Sequence, residues 1–315
     1  MELVAATKMR RSQELALNSR PYAYTALEIL AVISHLKDGQ ADVAMPELLR
    51  ERSSGAGENG LQKTGRTAFL IVASDKGLAG SFNGSVFRKF EQYVRENNID
   101  LHARTPDGRE KYSFIAVGQK AKSYLEHRGH AISQSFLRVG DFTEMEEVNP
   151  LTDALIDGYL GRDGKQPQFD EVISFSTNFI TALQQDVLVR QILPVSFENI
   201  KQSIEALVPQ AGRFSKYLNT ESFNEDRNVE YLIEPSPREV LERLSRELIK
   251  IRVYHMILEA NASEHSARRV AMKSASDNAS ELSTDLNIVY NKSRQAAITN
   301  QIIEVTSGAQ AAGVE

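Results

Sequence analysis

The sequence predicts an α/β fold in which a domain of alternating strands and helices is inserted between two long terminal helices, from opposite ends of the chain, that pair into a rod. Three observations carry this. Between residues 67 and 195, short apolar runs alternate with helical stretches, the order of a largely parallel buried sheet. After Pro237 there is no further Pro and no Gly through Ser307, and at 1.5 Å per residue such a helix reaches roughly 100 Å. Residues 3–37 supply a helix from the opposite end of the chain, and few other long helices exist to make an ordinary bundle. The expected division is 1–38 for the first helix, 39–66 for a variable linker or insertion, 67–235 for the α/β foot and 236–315 for the second helix.

Composition narrows the function. The chain has 315 residues with 41% apolar and 25% charged side chains and a net charge of -5. That composition suits a globular chain with a sizeable core and argues against a dedicated nucleic-acid binder. With no Cys, there are no disulfides, thiolate nucleophiles or cysteine-bound metals. No apolar run approaches the 18 or so residues of a spanning helix. The opening MELVAATKMR places its basic residues after its apolar ones, the reverse of a signal peptide.

Taken in order, Leu3, Ala6, Leu15, Tyr22, Leu27, Leu30 and Leu36 recur at loosely helical spacing, and Pro21 is expected to kink or divide the helix. The stretch 39–65 holds five Gly and two Ser, consistent with a short helix at 46–52 and a slack loop. TAFLIVAS reads as a strand, Phe82 to Glu96 as a helix, NIDLHA as an alternating segment, YSFIAVG as a strand and 119–128 as a helix. AISQSF, DEVISFSTN, QDVLVRQILPV and YLIEP follow as strands, the last two on an edge, with MEEVNPLTDALIDGYL mostly helical and 198–228 polar. Pro235, Ser236 and Pro237 stop the chain and start the last helix, with Ser236 as N-cap and Glu239 reaching back to it. Within that helix, Val240, Leu241, Leu244, Leu248, Ile251 and Tyr254 suit packing on the domain. Side chains then shrink over 261–283, which would let a second helix approach closely, the candidate being the N-terminal helix with its own Ala5 and Ala6. Leu282, Leu286, Val289, Ile298, Ile302 and Val305 form a thinner stripe beyond.

Little of this points to chemistry. Gly77-Leu78-Ala79-Gly80-Ser81 follows a strand but lacks the spacing of a dinucleotide fingerprint. GENGLQKT has Gln62 where a Walker loop needs Gly before Lys63. His127 and His130 could face together at a helix end, and Asp75 and Asp170 could serve as acid and base, but no spacing joins either pair into a site. No catalytic residue, cofactor or metal is expected. Charges on the long helices, among them Lys8, Arg10, Arg11, Arg268, Arg269 and Lys273, fit either a solvated face or contacts with an enclosing partner.

The segments MELVAATKMRRSQ, SDKGLAGSFN and EHSARRVAMKSASDNASELSTDLNIVYNKSRQAAITNQIIEVTSGAQAA closely resemble the gamma subunit of F-type ATP synthases, in order and over nearly the whole chain. The resemblance implies an antiparallel coiled coil of the terminal helices, with a Rossmann-like α/β domain, without a nucleotide site, inserted between them. The whole would be a non-catalytic rotor shaft inside three alpha and three beta subunits. Rotation driven by proton or sodium passage through a c-ring would then cycle the catalytic beta subunits. It places Lys8, Met9, Arg10 and Arg11 at the lower rim of the beta subunits, with Arg268, Arg269 and Lys273 facing them. Asn291, Arg294, Gln295 and Thr299 fall in a polar bearing region, and Ile302 with Ile298 and Val305 near an apolar sleeve. Foot contacts with epsilon and the c-ring fall on Asp75, Lys76, Phe82, Asn83, Tyr217 and Tyr231. The family usually carries about twenty further residues before MELVAATKMRR, so the expectation is either that the true start lies upstream or that this shaft is half-bare near its foot and tip. The resemblance implies a peripheral protein on the cytoplasmic face of a bacterial membrane, touching it through the c-ring alone; a processed organellar chain would read the same. A coiled-coil scaffold of another complex and a nucleotide-binding α/β enzyme are the alternatives.

Overall fold

The computed structural model describes residues 1–35, 46–49, 64–138, 144–161, 167–182, 184–195, 234–311 and 313. Most of the 39–66 linker, the 198–228 stretch, Tyr217, Tyr231 and most of the expected YLIEP strand lie outside the described residues, as does GENGLQK.

Helix α1 (Glu2–His35) opens the chain. There follow β1 (Thr67–Val72), α2 (Phe82–Glu96), β2 (Tyr112–Val117), α3 (Gln119–His127) and β3 (Ile132–Phe136). A 3-10 turn at Met145–Val148 leads into α4 (Asn149–Leu160), then β4 (Glu171–Phe179), β5 (Gln185–Leu193) and α5 (Pro237–Ala311). The sheet order is β3-β2-β1-β4-β5, parallel except for β5, which runs antiparallel on the edge.

The strands are apolar on both faces because both faces are covered. Ala68, Leu70, Val72, Ile115 and Val117 join α4 and α5 residues in one core. Their neighbours Phe69, Ile71, Phe114 and Ala116 join α2 and α3 in another. Phe69 centres the second, its ring within 5.4–6.4 Å of those of Phe90, Tyr93, Tyr112, Phe114 and Phe175. Where β2 turns into α3, Gly118 holds φ 89, ψ 148, a region nearly closed to side chains. A Cβ there would lie 2.1 Å from the Ala73 carbonyl oxygen. Gly118→Ala is therefore expected to destabilise the protein by about 1–3 kcal/mol, read as a lower urea midpoint.

The N-terminal helix corrects two expectations. It runs unbroken through Pro21, because one lost backbone bond is offset by the length over which α1 lies against α5. Its buried side also follows the expected stripe only in part. Leu3 is 82% exposed, whereas Ala5 and Ser12 are buried and Leu15 and Ala16 pack on the core. NIDLHA is a turn rather than a strand: Asn98 takes a positive φ, Ile99 N–H bonds the Val94 carbonyl at 2.9 Å and Asp100 accepts from His102 N–H at 3.0 Å. Its alternation arises because Ile99 and Leu101 pack on the outer core. The expected cap of α5 forms, with Ser236 Oγ accepting from Glu239 N–H at 3.3 Å and donating to the Glu239 carboxylate at 3.2 Å.

Candidate functional site

The two terminal helices run antiparallel. Ser19 Oγ lies 3.3 Å from His255 Nε2, and Glu2 pairs with Arg269 at 3.7 Å. The start of α1 therefore lies beside residues 269–272, and the small side chains of α1 face a stretch of α5 buried through Ser266. The close approach expected over 261–283 holds only for its first part. From 273 to 311 every residue of α5 is exposed, about 58 Å of helix at 1.5 Å per residue. That surface includes Leu282, Leu286, Ile288, Val289, Tyr290, Ile298, Ile302, Ile303 and Val305.

Where α5 leaves the body, the 75–83 turn after β1 is fastened to it. Arg268 donates to Glu264 at 2.6 Å and, through the same Nη2, to the carbonyls of Lys76 and Gly77 at 3.3 Å, while Nη1 lies 3.2 Å from His265 Nδ1. Its side chain is only 14% exposed, so Arg268 is a latch between shaft and turn rather than a free surface cation. Arg268→Ala is expected to cost about 1.5–3 kcal/mol of unfolding free energy, the range for bonds to a charged group. Arg268→Lys should restore little, because an ammonium cannot reach these acceptors in one plane. Urea denaturation checks both.

The other expected residues sort by exposure. Lys8 lines a groove of about 260 Å³ with residues 75–78, Glu264, Arg268 and Met272; it thus lies opposite 264–268, while Arg269 is opposite Glu2. Met9 is half-buried and Arg11 exposed, and Arg10 pairs with Glu14 at 3.0 Å. Lys273, Asn291, Arg294, Gln295, Thr299 and Ile302 are exposed, with Thr299 Oγ1 turned back to the Gln295 carbonyl at 2.8 Å. Phe82 is buried. Asn83 accepts from Ser74 N–H at 2.9 Å and donates to Ser74 Oγ at 2.8 Å, so both face inward. Within the turn, Lys76 and Leu78 remain outward, Leu78 with φ 64.

The candidate acid–base pair is not brought together. Asp75 accepts from the backbone N–H groups of Gln119 and Arg138 beyond the end of β1, while Asp170 accepts from Thr64 Oγ1 and Gly65 N–H before its start. His127 bonds its own helix at the Ser123 carbonyl and His130 stacks on Phe114. Missed by sequence reasoning is a buried charge cluster between β5 and α5. Arg190 pairs with Glu259 at 3.1 Å, and Arg252 lies beside them. Burial, and then the charge of Arg190, bring the Arg252 guanidinium down to about 10. Only an Arg inside an otherwise apolar helical stripe signalled it.

A shaft built from the two terminal helices, rooted on a sheet-bearing domain and bare along its distal half among the described residues, has the form of a stalk subunit. The sequence matches the family described as ATP synthase over residues 1–312. It is 32% identical over 312 residues to an ATP synthase gamma chain of Psychrobacter sp. (strain PRwf-1), covering 99% of this chain and 92% of that one. A gamma chain of Herpetosiphon aurantiacus is likewise 32% identical, over 99% of this chain and 91% of its own. The chain belongs to the ATP synthase gamma chain family. Its fold is similar to the central stalk and c-ring structure of the Tetrahymena thermophila mitochondrial ATP synthase, with TM-score 0.52 and 20% identity over 88% of this chain and 97% of that one. It is similar too to a chain of the Euglena gracilis mitochondrial enzyme, with TM-score 0.51 and 14% identity over 97% and 95%.

Proposed function

We propose that this chain is the rotating central shaft of an F-type ATP synthase, itself without a catalytic site, enclosed by three alpha and three beta subunits and footed on epsilon and the c-ring. The observation that carries this reading is the bare stretch 273–311. An isolated helix is marginal in water, and this one holds β-branched Ile, Val and Thr, which lose side-chain freedom in a helix. Its large apolar side chains point in several directions rather than along one seam, which calls for enclosure rather than one partner helix. An asymmetric shaft in such an enclosure touches each beta subunit differently. Rotation therefore shifts each between states of different nucleotide affinity, driven only by contacts that differ between those states.

In this reading Lys8, Met9, Arg10, Arg11, Arg269 and Lys273 meet the lower rim of the ring, with Arg268 fastening the turn behind them. Asn291, Arg294, Gln295, Thr299 and Ile302 meet the ring higher up. On the 75–83 turn, contact with epsilon or the c-ring falls to Lys76 and Leu78, since Phe82 and Asn83 face inward. No described helix is long and apolar enough to cross a membrane, and membrane association through the c-ring follows from the same proposal. The test is co-expression with the alpha and beta subunits of the same organism, light scattering, and an ATPase assay on the same fraction. One copy per three alpha and three beta, with turnover, is expected; a monomer that ignores the ring would overturn the reading.

A further inference from the structure

The side of the sheet away from α5 is basic in a chain of net charge -5. Helices α2 and α3 with Arg128 carry six Lys or Arg against three Glu. Between their carboxyl ends opens a cleft of about 270 Å³, floored by Phe90, Val94 and Leu101, walled by Tyr124, and rimmed by Arg95, Arg128 and His130. The wall is held in place: Tyr124 stacks on Phe87 at 4.1 Å and donates to Glu91 at 2.8 Å. Arg128 meets the same carboxylate at 2.5 Å and lies 5.6 Å over the Tyr124 ring. Glu91 thus answers Arg128, while Arg95 is exposed at the rim and makes no ion pair among the described residues.

We propose that this cleft is a docking site for an acidic segment of a partner protein that inserts one aromatic side chain. The volume falls below the range of small-molecule sites, about 300–1,000 Å³, and suits a single ring. The apolar floor and the Tyr124 wall offer edge and face contacts to that ring. At the mouth Arg128 is answered by Glu91 and Arg95 is left over. Further cations, Arg88, Lys89, Lys120 and Lys122, continue along both helices, farther than one small anion could reach, so the complementary charge belongs on a peptide. The cleft faces away from α5, and a ring enclosing the bare helix would leave it open. The partner is therefore not the one that the shaft itself serves.

The test uses the full chain and a fluorescein-labelled Glu-Asp-Phe-Glu-Asp peptide in anisotropy titrations, against Glu-Asp-Ala-Glu-Asp. The phenylalanine peptide should bind at least tenfold tighter. Arg95→Glu should weaken it about tenfold without moving the unfolding temperature, and Leu101→Glu should abolish the difference between the peptides. Equal binding of both peptides would reduce the face to nonspecific charge and overturn the proposal. So would insensitivity to Arg95→Glu, or equal competition by inorganic phosphate, which would make the cleft a small-anion site. Absence of binding at millimolar peptide would also end it.

Discussion

Truncation after Met272 is expected to leave the body of the protein folded while abolishing assembly with alpha and beta subunits and the turnover that depends on it. Of the residues removed, 273–311 are exposed throughout, and none of them belongs to either core. Their removal exposes only the turn at Ala271 and Met272. The urea midpoint should therefore move by no more than the few tenths of a kcal/mol typical of surface changes. The chain has ten Tyr and no Trp, and Tyr159 is fully buried, so tyrosine fluorescence reports the unfolding of the body. A large fall in midpoint would mean that the distal helix packs back on the foot, and the enclosed-shaft reading would fail with it.

Glu259→Ala should produce the largest loss of stability, about 3–5 kcal/mol, the range for removing one partner of a buried ion pair. The carboxylate is 11% exposed and Arg190, at 3.1 Å, 17%. Nε and Nη1 of Arg252 and Nη2 of Arg190 are already buried without a hydrogen-bond partner among the described residues. Without Glu259, two guanidinium charges would be left together without the carboxylate that Arg190 pairs with. Arg252→Met should do the opposite, being neutral or stabilising by about 1–4 kcal/mol, since a volume-matched apolar side chain removes the desolvation penalty. Urea unfolding of both variants checks the pair. If Glu259→Ala were mild and Arg252→Met severe, the cluster would be a favourable network and its charge balance misread.

Local patterns foretold most of the secondary structure because their determinants lie within a few residues. The Pro-free, Gly-free run ending at 307 announces a continuous helix, and the Ser236–Glu239 cap is a four-residue device. The doubly covered strands appear as unbroken apolar runs. NIDLHA misled because alternation also arises when a turn drops two side chains, Ile99 and Leu101, onto a core. A strand and such a turn differ in backbone dihedrals, not in hydrophobic order.

The pairing of the helices belongs to another scale. That two long helices from opposite ends would run together was legible in composition and order alone, and so was the family resemblance on which the expected partners rested. The helical phase of α1 was legible only in part, through Ala5 and Leu15. Burying Ser12 while leaving Leu3 exposed depends on how closely α1 can lie against α5, a contact between segments more than 200 residues apart. The same holds for Arg268, written in sequence as one cation among several on a helix face and made a latch only because the turn after β1 arrives beside it. Arg190, Arg252 and Glu259 come from a strand and a helix that meet across the chain. Their energetics exist only once both are removed from water together, because charge interactions depend on distance and dielectric, and neither is a property of sequence spacing.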